Sequence, residues 1–348
     1  MKDATLQDVA ALAGVSTGTV SKYINGQKIS PKNVERIKKA IEVLHYMPSP
    51  LARNFARGKS FDILLFIIVE HPIVQSTWLH ELPIIQGIND RLRGSGYSLK
   101  IEIASMEAKK ENAARIENYA RSKYVDAVIL LSPWEISDEI LVILDYHAFP
   151  YLIVGSGKNA RQCCSIDFDN YTPIYEIVGR MREAGHARFG MINGFQNQLY
   201  AQQREAAFRD ALRDLRLPLR EEDVRHGDYS LESGIELCGE LLDAPDPPTA
   251  IVCGNDYVAA GAIRAIQSRR LSVPGDMLVS GFDDTIVSSA MNPTITTVHV
   301  SSYEMGRCAT EELLKRLECG EYEIQSRLIK SRVIYKQSTG TNGANGAQ

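Results

Sequence analysis

Residues 5–26 read TLQDVAALAGVSTGTVSKYING, a pattern of two short helices joined by a tight turn. Thr5 is a helix N-cap residue, and Leu6, Val9, Ala10 and Ala13 share one helical face. Gly14 supplies the turn, because a residue without Cβ takes a positive φ without strain and lets two helices approach. Ser16 caps the second helix, Val20 anchors it, and Asn25-Gly26 is a stop signal. The outward positions Thr17, Gly18, Ser21 and Lys22 are small, polar or basic. Such a face suits a helix that lies against base edges and phosphates in a DNA major groove.

Working outward, Ser30-Pro31 opens a third helix, with Ser as cap and Pro in the first turn. Val34, Ile37, Ala40, Ile41 and Leu44 form its apolar stripe, which closes a three-helix core on the first two. His45-Tyr46-Met47-Pro48-Ser49-Pro50 breaks that pattern. The following segment, Leu51-Ala52-Arg53-Asn54-Phe55-Ala56-Arg57, is a linker with weak helical character, too short to be stable alone when nucleation is unfavourable below ~12 residues.

Charge divides the chain at the same place. Residues 1–60 hold ten Lys/Arg against four Asp/Glu, a net of +6, whereas the remaining 288 residues carry −10. A basic head on an acidic body binds polyanions through the head, by counterion release. At 348 residues with 44% apolar content, the chain has room for a small module and a large core. No signal peptide is legible, and the longest apolar run, Ile63 to Val69, is a strand's length rather than a membrane span. The expected location is cytoplasmic, at the nucleoid.

From Phe61 onward the continuous apolar runs DILLFIIV, DAVILLS, YLIVG, FGMING, AIVCG and LVSGF read as strands buried on both faces of parallel sheets. Between them lie helical stretches at 84–94, 108–123, 171–184, 203–215, 231–242 and 258–269. That alternation predicts an α/β body of doubly wound parallel sheets, long enough for two units, with a ligand cleft outside the carboxyl ends of the strands. The tail after Lys336 is polar and Gly-rich and is expected to be disordered.

The order of parts resembles the lactose-repressor/galactose-repressor family of bacterial transcription regulators. The resemblance rests on the head pattern T-L-x-D-V-A-x-x-A-G-V-S-x-x-T-V-S and on three body segments, EAGHARFGMING, PTAIVCGNDYVAAGAIRAI and VPGDMLVSGFDDTIVSSAMNPTITTV. It implies a helix-turn-helix head at 1–47, a hinge at 48–60 and a two-lobed, periplasmic-binding-protein-like body. The N-terminal lobe is expected at 61–164 and 295–324, the C-terminal lobe at 165–294 and 325–336, and the tail at 337–348. It further implies a homodimer on double-stranded operator DNA, controlled by a small-molecule effector such as a sugar or related metabolite. No cofactor, metal or membrane is implied. No Leu heptad follows Lys336, so no tetramer of the lactose-repressor kind is expected.

Residue by residue, the resemblance makes the hinge a helix that folds on DNA, with Arg53 and Arg57 near phosphates. Phe55 stands where relatives usually carry a minor-groove wedge leucine. Thr17-Gly18 replaces the Tyr-Gln pair of some members, and Lys22 replaces a common Arg, exchanging bidentate guanine recognition for a point charge. Ser21 and Asn25 are phosphate contacts, and Ser16, the cap of the second helix, is counted with them as DNA-binding. In the body, Arg204 matches the ligand-clamping arginine, Asp283 an acceptor for sugar hydroxyls, and Tyr229 and Asn255 two further lining positions. Trp78 is placed as an aromatic that stacks on the ligand.

Catalytic patterns fail on context. Gly14-Val15-Ser16-Thr17-Gly18 satisfies G-x-S-x-G but follows a helix instead of a strand. Gly155-Ser156-Gly157-Lys158 lacks the earlier glycine of a phosphate loop, and the seven His have no metal-ligand spacing. Vicinal Cys163-Cys164 reads as a reduced pair at a strand start, with redox activity the alternative. The rival readings are a stand-alone solute-binding protein, a regulator whose body docks a protein, and, least of all, an enzyme.

Overall fold

A computed structural model of the chain describes residues 4–24, 27–46, 59–69, 78–155, 165–320 and 326–340. Asn25, the hinge residues Arg53 and Phe55, and Cys163-Cys164 lie outside them. Two compact units are present, residues 1–62 with 122–126, and residues 63–121 with 127–348. Among the described residues no helix is long and apolar enough to cross a membrane.

The first unit contains α1 (Leu6–Ala13), α2 (Thr17–Ile24) and α3 (Pro31–Leu44). Thr5 and Asp8 cap α1 reciprocally: Thr5 Oγ1 accepts from Asp8 N at 3.3 Å, and Asp8 Oδ2 accepts from Thr5 N at 2.8 Å. Gly14 takes φ 63° at the turn, as its sequence position demanded. Val9, Val20 and Ile37 are fully buried at the centre, with Ala10, Ala13 and Ala40 around them. Each large aliphatic contributes about 1.5–3 kcal/mol gross. Ser30 occupies the N-cap of α3 with extended backbone, but its side chain makes no cap hydrogen bond.

In the second unit the chain alternates strand and helix: β1 (Asp62–Val69), α4 (Trp78–Leu92), β2 (Ser98–Ser105), α5 (Lys109–Ser122), β3 (Ala127–Leu131), α6 (Asp138–Tyr146), β4 (Tyr151–Val154) and β5 (Ser165–Phe168). It continues with α7 (Thr172–Glu183), β6 (Phe189–Asn193), α8 (Leu199–Asp214), β7 (Val224–His226), α9 (Leu231–Leu242), β8 (Ala250–Cys253), α10 (Asp256–Ser268), β9 (Leu278–Ser280) and α11 (Ile286–Ala290). The last elements are β10 (Thr297–His299), α12 (Ser302–Cys319), β11 (Arg327–Ile329) and β12 (Arg332–Ile334). All six expected helices are present, α4 and α8 beginning earlier than expected. Pro83 lies inside α4, in its second turn, where a proline removes one backbone donor from the helical ladder.

Two sheets define two lobes, with strand orders β11-β5-β4-β3-β1-β2 and β7-β6-β8-β9. The apolar runs sit at their centres, in parallel register such as Leu65↔Ile129 and Met191↔Val252. The chain passes between lobes after β5, again between β9 and α12, and finally after β11. An antiparallel ribbon of β10 and β12 lies in the returning segments.

That threading corrects the expected lobe boundaries. Strand 165–168 joins the first sheet through β4, and strand 327–329 extends the same sheet through β5, with Leu328 opposite Asp167. The expected boundaries put both in the C-terminal lobe. An apolar strand's own sequence reports burial; which sheet it completes depends on long-range pairing. The disordered tail expected from 337 does not begin there, and 341–348 lie outside the described residues. Residues Gln337–Thr339 form a 3-10 turn in which Ser338 is fully buried, its Oγ donating to Val279 O at 2.6 Å.

Candidate functional site

On the head, α2 exposes Ser16, Thr17, Gly18 and Lys22, and leaves Ser21 half-buried. The Ser16 hydroxyl accepts from Thr19 N at 3.1 Å, so it caps α2 and orients the turn that precedes the outward face. Val20 pins the opposite side into the core. A rigid helix thereby carries small and basic side chains outward, the geometry that base and phosphate contacts need.

The body holds a cleft of about 770 Å³, its open mouth included. One wall belongs to the first lobe: Glu81 and Ile84 on α4, Leu131, Pro133 and Trp134 after β3, Phe168 ending β5, and Ser302 opening α12. The facing wall comes from the second lobe: Phe195 and Gln198 after β6, Tyr200 and Arg204 on α8, Asp228 and Tyr229 after β7, Asn255 after β8, and Asp283 after β9. Every strand that contributes does so at its carboxyl end, where open parallel sheets place their ligands.

Arg204 is buried, and its guanidinium is held on several sides. Its Nε donates to Asn170 Oδ1 at 2.9 Å and Nη1 to the Gly254 carbonyl at 2.5 Å. Nη2 lies 3.8 Å from Asp283 Oδ1, and the guanidinium carbon sits 3.7 Å from the centre of the Phe282 ring. Asp283 takes φ 103° and Asp284 φ 53°, conformations that cost of order 1–3 kcal/mol each unless neighbours enforce them. The neighbours do so: Asp283 N donates to Val298 O at 2.9 Å, and Asp284 N to Thr297 Oγ1 at 3.1 Å. The turn points Asp283 into the cleft and Asp284 towards His299 Nδ1, at 3.0 Å, and Lys336 Nζ, at 3.4 Å.

Tyr229 adopts φ 65°, and its ring fills space that only glycine leaves open. A Cβ at Gly194 would fall 1.9 Å from the ring. Its hydroxyl is buried without a hydrogen-bond partner among the described residues, as is Trp134 Nε1. Burial pushes the Tyr229 hydroxyl up to about 12, with Arg204 opposing and Asp283 adding to the shift. Asn255 lines the cleft but spends its amide internally: Oδ1 accepts from Val258 N at 2.8 Å, capping α10, and Nδ2 donates to Tyr229 O at 3.1 Å. It positions Tyr229 and the helix.

Two buried carboxylates stand behind the wall. Burial pushes Asp167 up to about 7, against the Phe168 N–H, the Arg204 charge and the Tyr200 hydroxyl. Asp256 is pushed up to about 7 by burial and then by the Asp283 charge, against hydrogen bonds from Thr297 and Thr285. Asp256 Oδ1 accepts from Thr297 Oγ1 at 2.6 Å and Oδ2 from Thr285 N at 2.7 Å, so this carboxyl ties α10 to the Asp283 turn.

Arg204, Tyr229, Asn255 and Asp283, the four positions the resemblance pointed to, line one cleft. Trp78 begins α4, and its side chain lies outside the described part. Four lining aromatics, Trp134, Phe168, Phe195 and Tyr200, were missed by sequence reasoning; Trp134 lies in Ser132-Pro133-Trp134, directly after an all-apolar strand. Its position at a carboxyl strand end was the available signal.

Residues 5–49 match the family model of bacterial regulatory proteins, lacI family, and residues 178–339 that of a periplasmic binding protein-like domain. Over 340 residues the chain is 30% identical to the HTH-type transcriptional repressor CytR of Escherichia coli strain K12, covering 97% of this chain and 96% of that protein. Among solved structures, a Lac repressor dimer bound to operator and the anti-inducer ONPF superposes with a TM-score of 0.82 at 25% identity, over 97% of this chain and 99% of that one. A complex of the transcriptional regulator CelR with cellobiose gives a TM-score of 0.71 at 28% identity, over 96% and 99%.

Proposed function

The chain belongs to the lacI family of bacterial regulatory proteins, and from that premise we propose how it works as a sequence-specific, effector-controlled repressor of transcription. A homodimer presents two copies of α2 to the two halves of an operator. Thr17, Gly18 and Lys22 face base edges in the major groove, while Ser16, Ser21 and Asn25 set the register on phosphates. Lys22, a point charge in the last turn of α2, contributes steering and one flexible donor. Residues 48–60 act as the hinge, with Arg53 at phosphates and Phe55 as the minor-groove wedge. The target is DNA, so the working location is the bacterial cytoplasm.

The observation that carries this reading is the cleft at the carboxyl ends of two parallel sheets, in the same chain as a helix-turn-helix head. A sugar or related polyhydroxylated metabolite binds there, with Arg204 and Asp283 as the hydrogen-bonding pair and Trp134 and Tyr229 supplying apolar faces. CelR holds cellobiose in its complex; this chain has its own wall residues and its own ligand. Ligand binding changes the spacing of the two heads, and operator affinity shifts only by the ligand's differential affinity for the two arrangements. Trp78 at the start of α4 is a further stacking residue in this reading. No catalytic role is proposed.

The test is gel retardation of the chain's own upstream region by the purified protein at low ionic strength, repeated across a metabolite panel. Retardation that weakens steeply with salt and responds to one metabolite is the expected result. No retardation of any fragment under any condition overturns the proposal.

A further inference from the structure

The cleft wall carries three carboxylates, Glu81, Asp228 and Asp283, and among the described lining residues one cation, Arg204. Glu81 stands in the first turn of α4, 7% exposed, and Asp228 follows β7. Arg204 already faces protein acceptors on three nitrogens, through Asn170, Gly254 and Asp283, and its guanidinium carbon lies over the Phe282 ring. Its guanidinium is therefore a poor receptor for a second anion, because a phosphate or carboxylate would compete with bonds that hold the wall together. Asp228 stays ionised: burial raises its proton affinity, but hydrogen bonds from Ser230 and Ser233 lower it more, to below the usual carboxylate range. The wall also offers donors. Trp134 is 6% exposed, and its Nε1–H has no partner among the described residues; the Tyr229 hydroxyl is in the same position.

A ligand that satisfies this wall accepts from Trp134 and Tyr229, donates hydroxyls to carboxylates, and lays an apolar face on aromatic rings. An anionic group would instead meet like charge, beside the buried Glu81 and, partly screened by solvent, at the exposed Asp228. We propose that the cleft selects by charge: it takes a polyhydroxylated ring that carries no anionic group, and Glu81 and Asp228 are the residues that reject sugar phosphates and sugar acids. This rests on the cleft being the effector pocket, and it assigns specificity to two side chains outside the Arg204–Asp283 pair.

Titration calorimetry on the full-length protein tests it with matched probes: glucose against glucose 6-phosphate and glucuronate, ribose against ribose 5-phosphate, and cytidine against its 5′-monophosphate. For whichever core binds, the neutral member binds at least about 100-fold more tightly than its anionic partner, since like-charge juxtaposition costs several kcal/mol. In the Glu81→Gln/Asp228→Asn double variant that ratio narrows by about 10-fold or more. The variant's thermal midpoint without ligand and its retardation of DNA confirm that it is folded. An anionic member that equals or exceeds its neutral partner overturns the charge selection, and so does an unchanged ratio in the double variant. Binding by no probe of either kind overturns the assignment of the cleft as a pocket for polyhydroxylated effectors, and the charge selection falls with it.

Discussion

Removal of the Arg204 head group tests whether the cleft is held by a buried charge network. Arg204→Met keeps most of the apolar stem over Phe282 but deletes the donors to Asn170 and Gly254 and the cation 3.8 Å from Asp283. The Asp283 side chain is only 9% exposed, so the variant leaves a carboxylate in low dielectric without that partner. Breaking a buried pair in this way costs about 3–5 kcal/mol, most of it the penalty on the surviving charge. Asp283→Asn removes that charge and lifts its repulsion from Asp256. The double variant Arg204→Met/Asp283→Asn should therefore recover about 1–3 kcal/mol relative to the sum of the single variants. Urea denaturation of the effector-free protein, followed by circular dichroism and tryptophan fluorescence, measures all four corners of the cycle. Additivity within about 0.5 kcal/mol would refute the coupling. The head has its own core around Val9, Val20 and Ile37, so unliganded DNA binding should survive Arg204→Met while effector response is lost. Wild-type effector affinity in that variant would refute the clamp.

Three further outcomes are expected. Lys22→Ala, at an exposed position of α2, should weaken operator binding far more than nonspecific binding; anisotropy titrations showing equal losses on both DNAs would reject a base contact. Tyr229→Phe deletes a hydroxyl without a partner among the described residues. It should leave the urea midpoint of the effector-free protein nearly unchanged yet weaken effector binding by about 10-fold, and unaltered affinity would exclude the hydroxyl from recognition. Burial pushes the Asp167 and Asp256 carboxyls from the usual carboxylate range up to about 7, so the folded state holds protons that the unfolded chain releases. Stability from these groups is full at the acid end of that window and is lost as pH rises through about 7. Asp167→Asn should flatten the profile, and a variant whose stability offset from wild type is identical at pH 5 and pH 8 would contradict that sign.

Local energetics explain what was legible beforehand. The Thr5 cap, the Gly14 turn and the Val20 anchor depend on residues within a few positions of one another, and their spacing states the helix-turn-helix directly; the reciprocal bond to Asp8 came with the structure. The uninterrupted runs at 62–69, 126–132 and 250–254 state burial on both faces, which in turn predicts parallel sheets and a cleft at their carboxyl ends. The motif resemblance then placed Arg204, Tyr229, Asn255 and Asp283 on that cleft.

The amino-acid pattern was enough for the three head helices, the six most apolar strands and six of the body helices, and for where the basic head ends, because those properties follow from periodicity, capping and charge along a short stretch of chain. Tertiary structure alone decided that strands 165–168 and 327–329 complete the first sheet and that Ser338 is buried under Val279. It alone brought the Asn255 amide onto the Tyr229 carbonyl, set the guanidinium of Arg204 among protein acceptors, and brought Glu81 and Asp228 to the same wall. Those outcomes depend on pairings across many tens of residues, where the energy lies in which partners meet, and neighbours in sequence carry no record of that choice.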